Sequence, residues 1–441
     1  MEKNLWKNFG KYVGLNILGM LGLSFYILAD TYFIAKALGP TGIASLNLSI
    51  SIYGVIHGIG LMIGIGGATR FSILKSRDRD EKAHLVFSTA VKSGLVIGLG
   101  LVLVGVFGAG YLASILGADS LTMPLTRTYL RTILTFAPFF ILNNVVLAFV
   151  RNDDNPNLSM VAMLTGSLSN IVLDYIFMFP LGMGMFGAAF ATGLAPIISL
   201  LILSLHFLGK KDAFAFMRGR MRWNLFPDIF RLGSSAFIIE MSSSLALVIF
   251  NLVILGIEGN MGLAAYGIVA NLALVALSVF TGLGQGIQPL ASRYHGLKRD
   301  DLVRKVRRYA LTTAVLIASM LYLVVFSYSG SIVHAFNGGN DMDIARVADK
   351  GLKIYFAGFF FAGINIVAAT VLSATEKARD AFSITMARGI VLMVPLVIVL
   401  SRFGGMSGVW SAFVLTELLV AIRSGYLIWA GRKRAVHDQA A

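Results

Sequence analysis

The sequence predicts an all-α polytopic membrane protein of about twelve transmembrane helices in two pseudo-symmetric six-helix lobes. Three observations carry that expectation. The 441 residues are 57% hydrophobic and only 13% charged, whereas a soluble domain carries about 25% charged residues; the mean hydropathy is +0.79. The apolar runs reach the ~20 residues needed to cross a bilayer. The two halves of the chain also resemble each other.

With Gly and Pro read as punctuation, the spans fall at 11–38, 42–73, 84–114, 121–150, 157–181 and 185–208. They resume at 228–256, 262–293, 307–328, 346–373, 380–402 and 406–430. Span 1 follows "MEKNLWKNFGKYVGLN", a charged stretch without a small-residue cleavage site, so no cleavable leader is expected. Lys75, Arg77, Arg79 and Lys82 separate spans 2 and 3. Lys210, Lys211, Arg218, Arg220 and Arg222 occupy the polar stretch 209–227, read as a linker between an N-terminal lobe (1–208) and a C-terminal lobe (228–441). Lys298, Arg299, Arg304, Lys305, Arg307 and Arg308 follow span 8, and Arg432, Lys433 and Arg434 follow span 12. The intervening loops "FPLGMGMFG" and "NGGNDMDIA" are nearly free of basic residues. Basic residues in alternate loops place both termini in the cytoplasm. The net charge of +15 is thereby assigned to a membrane surface, and no nucleic-acid partner is expected.

The repeat is visible as a constant offset. Gly42 in "GPTGIASLNLSIS" maps onto Gly262 in "GNMGLAAYGIVAN" at 220 residues, and the same offset carries "TFAPFFI" (135–141) onto "YFAGFFF" (355–361). Gly64 and Gly66 fall on Gly284 and Gly286, while Gly187 falls on Gly408 at 221. Six helices per half is an even number, so both halves enter from the same side. Such parallel repeats suit two lobes rocking about a central site.

Acidic residues within spans are Asp30 in span 1, Asp174 in span 5, Glu240 in span 7 and Glu417 in span 12. A carboxylate at the bilayer centre costs about 2.5–3.5 kcal/mol, so each is a functional candidate. Counting ~1.5 Å per residue from the nearer span end puts Asp30 ~14 Å, Asp174 ~12 Å and Thr192 ~10 Å deep, at one level of the N-terminal lobe. Asn170 shares a helical face with Asp174, and Tyr26 with Asp30, each at i−4. Two carboxylates meeting in a low-dielectric cavity would hold a proton, or a Na⁺ through carboxylate, amide and hydroxyl oxygens. The alternative is two separate acids, each capped by neighbouring polar groups.

Glu240 lies ~20 Å deep, near mid-membrane, as a group for cationic ligands or a partner of Ser242, Ser243 and Ser244. For Glu417 the expected role is packing or an ion pair with another helix, Arg423 lying six residues on. Gln285 and Gln288 of "GLGQGIQPL", with Asn143, Asn144 and Asn365, either face a central cavity or bond between helices. His57 in span 2 is either a group that titrates near neutral pH or, the commoner case for a lone His, one satisfied by a neighbour. The chain has no Cys, six His without HExxH, and no Walker A pattern; disulfides and thiolate metal sites are excluded, ATP drive within this polypeptide is not expected, and no metal is expected beyond a Na⁺ at Asp30 and Asp174. The 31 Phe and 18 Met suit a compliant apolar wall.

The segments "ADTYFIAKALGPTGIA", "VRNDDNPNLSMVAMLTGSLSNIVLDYIF", "GMGMFGAAFATG" and "GLGQGIQPLASRYHGLKRDD" together resemble the multidrug and toxic compound extrusion (MATE) family, in its bacterial MepA- and DinF-like branches. The resemblance runs from the first span to the twelfth. It implies the MATE fold, an N-lobe cation site at Asp30, Asn170, Asp174 and Thr192 beside Tyr26, and a cation- or drug-binding Glu240. The family pattern of an acid in span 10 is missing here from "GFFFAGINIVAAT". The implied function is secondary active efflux of amphipathic cations in exchange for H⁺ or Na⁺, by a monomeric, non-enzymatic protein of a prokaryotic inner membrane with no cofactor besides the coupling ion. The runner-up within the superfamily is a lipid-linked oligosaccharide flippase, for which only Lys92, Arg131 and Arg388 lie far enough into spans to hold a pyrophosphate.

Overall fold

The computed structural model describes residues 4–209, 214, 216, 217, 223–336 and 341–440. The linker residues Lys210, Lys211, Arg218, Arg220 and Arg222 lie outside the described residues, as do the side chains of Arg432, Lys433 and Arg434. Among the described residues there is no strand. The helices are α1 (Leu5–Lys75), α2 (Asp80–Ile115), α3 (Met123–Thr135), α4 (Ala137–Asn152), α5 (Pro156–Met178), α6 (Gly184–Gly209), α7 (Phe226–Gly296), α8 (Asp300–Phe336), α9 (Met342–Tyr355), α10 (Phe359–Ala374), α11 (Ala378–Met386) and α12 (Met393–Ala440).

Two of these, α1 and α7, run for 71 residues. A straight helix of that length would reach ~106 Å, over three hydrocarbon thicknesses. Both are broken at a glycine, Gly39 (φ 63°, ψ −156°) and Gly259 (φ 60°, ψ −147°). That backbone region is open essentially to glycine alone, and there the chain doubles back. The Tyr26 and Tyr53 hydroxyls hydrogen-bond at 2.7 Å, though a straight helix would set them ~40 Å apart. Phe250 stacks on Tyr266 across the second break. A third break at Gly405 (φ 52°, ψ −136°) divides α12. Nine helical stretches are long and apolar enough to cross a membrane when α3 and α4 are taken as one bent span. Counting each of the three broken stretches twice brings the crossings to twelve, among the described residues.

The span expected at 121–150 is bent by 49° between α3 and α4. Pro138, in the first turn of α4, has no N–H to continue the ladder from α3. At the equivalent place in the second half, Gly358 ends a 3₁₀ turn (Phe356–Gly358) between α9 and α10.

The repeat extends to backbone geometry. Left-handed residues recur in pairs: Gly39 with Gly259, Asp78 with Lys298, Asp154 with Glu376, and Gly184 with Gly405. Two hydrophobic cores follow the same division. One gathers residues from Ile34 to Ile229; the other gathers Phe250 to Phe413, joined by Leu5, Phe9, Tyr12 and Val13 from the first turns of α1. Outward-facing apolar side chains such as Phe107 on α2 (84% exposed) and Leu316 on α8 (64%) leave surface suited to lipid.

Candidate functional site

The acids of the first half come together. Asp30 on α1, and Asn170 and Asp174 on α5, are buried with Thr192 of α6. In the orientation that satisfies both ends of its amide, Asn170 donates from Nδ2 to Asp174 Oδ2 at 3.1 Å and accepts from the Thr192 backbone N–H at 3.2 Å. Asp30 and Asp174 lie within electrostatic reach of each other. Tyr129 of α3, which the sequence reading did not single out, stands within reach of both. Asp30 Oδ1 and Asp174 Oδ1 are buried without a hydrogen-bond partner. Unpartnered carboxylate oxygens are costly in a low-dielectric interior, and a bound proton or a hard cation would satisfy them. Amide, hydroxyl and carboxylate oxygens are the donor set that a Na⁺ requires.

Between the halves lies a cavity of about 1910 Å³, open solvent at its mouth included. Tyr26, Asp30 and Thr192 line it from the first half; Glu240, Gln285 and Gln288 line it from the second, among leucines and isoleucines of both. A side pocket walled by the first half, apart from Gln285, takes in Asn143 and Asn144, and Asn143 Oδ1 has no partner there. Glu240 is paired with a residue of the other half: its Oε1 lies 2.8 Å from His57 Nδ1.

The polar contacts that join the halves cluster toward the face bearing the loops at 76–79, 153–155, 297–299 and 375–377, here the basic face. Gln285 accepts from Arg151 at 2.7 Å, and the same Arg151 nitrogen donates to Asn16. Gln288 accepts from Asn152 at 2.9 Å and donates to Thr69 at 2.8 Å. Thus both glutamines line the cavity and also tie helices together. Asp154 pairs with Arg293 at 2.9 Å and accepts from the Tyr12 hydroxyl. Glu376 pairs with Arg70 at 2.7 Å, with His295 at 3.2 Å and with Arg77 at 3.8 Å. Within the first half, Asp153 holds Lys75 and, at 2.8 Å, His206, backing the seam from one side. At this seam the backbones nearly touch: a Cβ on Gly233 would stand 1.8 Å from the Met62 carbonyl oxygen. Arg151 was not anticipated; its position four residues past Leu147 at a span end gives no local sign that it turns inward.

Glu417 has an ion-pair partner on another helix, as expected, but the partner is Arg388, 29 residues away, and not Arg423. Arg388 Nε lies 2.7 Å from Glu417 Oε1, and Asn365 donates to Oε2 at 2.8 Å. Asn365 is therefore interhelical glue, accepting in turn from Ser424. Arg388, raised as a pyrophosphate ligand, is consumed by this pair. Arg131 is exposed, and Lys92 sits over the Phe216 ring.

A family model described as MatE matches residues 16–176 and 236–399. The chain is 27% identical to the multidrug export protein MepA of Staphylococcus saprophyticus over 426 residues, covering 96% of this chain and 93% of that one. To the MepA protein of Staphylococcus haemolyticus it is 28% identical over 441 residues, covering 100% and 96%. Among solved structures, it superposes on an outward-facing multidrug resistance MATE family transporter of the MOP superfamily with a TM-score of 0.91 at 21% identity, covering 99% and 97%. A MOP superfamily transporter from Pyrococcus furiosus gives 0.88 at 22% identity, covering 97% and 95%.

Proposed function

This chain belongs to the MatE family of multi-pass membrane transporters, and from that premise we propose that it is a secondary active multidrug exporter, taking amphipathic, mainly cationic compounds out of the cell in exchange for H⁺ or Na⁺. It is a transporter and not an enzyme. The observation that carries the coupling is the pair of buried carboxylates, Asp30 and Asp174, each with an unpartnered oxygen and with Asp30 opening onto the interlobe cavity. Residues 1–208 and 228–441 act as the two lobes about the linker 209–227. Asp30, Asn170, Asp174 and Thr192, beside Tyr26, hold the coupling ion. Glu240, Asn143, Asn144, Gln285 and Gln288 face the transported compound. The protein works as a monomer in a prokaryotic inner membrane, with the basic face and both termini in the cytoplasm.

The closed seam at the basic face then makes this the outward-open arrangement. In the cycle, cation uptake by Asp30 and Asp174 accompanies release of the drug to the outside. The loaded lobes rock inward, the seam parts, and the cation leaves to the cytoplasm as the next drug enters. The oligosaccharide flippase reading is weaker: of the basic residues raised for it, Arg388 is paired with Glu417, Arg131 is exposed and Lys92 sits over the Phe216 ring.

The test is ethidium accumulation in inside-out vesicles, driven separately by a pH gradient and a Na⁺ gradient, with wild type beside Asp174→Asn. One gradient is expected to drive wild-type uptake and to fail with the variant. Uptake driven by neither gradient overturns the exporter reading; uptake that survives the substitution removes the coupling role from Asp174.

A further inference from the structure

His57 and Glu240 form a pair whose placement points to more than interhelical glue. The two residues come from opposite halves, on the second limb of α1 and on α7, and both line the central cavity. Their side chains are 12% and 29% exposed. His57 is held in place by its own half: its ring lies parallel to Tyr53 with centroids 5.9 Å apart, and the Tyr53 hydroxyl is fixed by Tyr26. The helices come close here, because a Cβ on Gly58 would lie 3.3 Å from the Glu240 Cβ. The imidazole therefore stands preset against the carboxylate.

The surroundings have the make-up of an organic-cation subsite. Leu23, Ile27, Leu61, Leu247 and Leu277 supply apolar wall, and Glu240 supplies the negative charge. Recognition of an amphipathic cation needs those two elements together. The carboxylate is already covered by the chain's own imidazole. From this geometry we infer that His57 is an internal competitor for the Glu240 subsite: an amphipathic organic cation binds by displacing the imidazole from the carboxylate. This inference rests on the exporter reading and adds to it a selectivity residue. A neutral compound gains nothing from uncovering Glu240, so His57 selects for ligands of full positive charge. Displacement also removes one polar tie between the halves, so occupancy of the subsite loosens the closed arrangement.

The experiment measures saturable binding of tetraphenylphosphonium to purified protein in detergent, with no ion gradient. Breaking a hydrogen bond to a charged group sets the scale of the effect at about tenfold. His57→Ala is expected to bind tetraphenylphosphonium about tenfold more tightly than wild type, and His57→Lys, which tethers an ammonium at the carboxylate, at least about tenfold more weakly. In a Glu240→Gln background the gain from His57→Ala should vanish. A partly unfolded variant loses affinity whatever its side chain, so the opposite signs separate the inference from damage to the fold. Unchanged or weaker binding by His57→Ala overturns it, as does a gain that persists with Glu240→Gln, or the absence of binding to both wild type and His57→Ala. The exporter reading is judged apart, by gradient-driven uptake in vesicles.

Discussion

The two halves share a scaffold and treat their buried acids in opposite ways. In the first half, Asp30 and Asp174 face each other's charge with no basic partner described, and each keeps a bare oxygen. In the second, Glu417 is clasped by Arg388 and Asn365. An offset of 222, that of Asp154 and Glu376, carries Asn143 and Gly166 onto Asn365 and Arg388, and one of 221 carries Pro196 onto Glu417; those three residues of the first half line its side pocket. One half has filled with its own ion pair the region that the other leaves open. The lesson is that a buried acid with an internal counter-charge is structure, and one without it is available to an ion from outside.

The sharpest way to break that comparison is to neutralise one acid of each kind. Asp174→Asn should reduce gradient-driven drug transport to the vesicle background while leaving the resistance of the folded protein to denaturant in micelles equal or higher, since a desolvated charge is removed. Glu417→Gln should do the reverse on stability, costing about 3–5 kcal/mol because it strands Arg388 in an apolar interior. Replacing Arg388 and Glu417 together by Met should recover most of that loss. A Glu417→Gln protein as stable as wild type would erase the distinction between the halves.

Features that the halves hold in common give a control. Gly39→Ala and Gly259→Ala place a side chain in the same sparsely populated backbone region, and each should cost about 1–3 kcal/mol, equally in the two halves. The smallest expected effect is at the seam. Glu376→Gln removes a half-exposed set of ion pairs and should change unfolding by no more than about 1 kcal/mol, while raising the fraction of molecules open at the basic face as read by spin-label distances across it. The bond from His295, with Arg70 and Arg77 nearby, holds the Glu376 carboxyl below its usual range against partial burial. A depressed folded-state value adds stability above the ordinary carboxylate pKa and loses it as the pH falls through the depressed one. The seam should therefore stay shut near neutrality and loosen only in acid.

Much of the fold was legible because it is written locally. Hydropathy with glycine punctuation separates spans 1 and 2 near Gly39, spans 7 and 8 near Gly259, and spans 11 and 12 near Gly405, where the backbone turns. Asp30 and Asp174 were legible because a charge in an apolar run is conspicuous. What escaped depends on pairings between distant segments. Glu417 with Arg388 and Glu240 with His57 are each set by helix packing that no local spacing encodes, and Arg151 reads as one more basic residue at a span end. The bend at Phe136 depends on Pro138, whose missing N–H falls at the junction of α3 and α4 and not inside a continuous span.

Asp154 and Glu376, the left-handed residues closing spans 4 and 10, each reach an arginine of the opposite half, Arg293 and Arg70. Under the repeat, those arginines differ by a single helical turn. The chain thus meets itself much as two identical subunits meet across a dyad, with one hook per side. Release of one hook weakens the seam on its own side while the other still holds, so a full parting asks for both to let go.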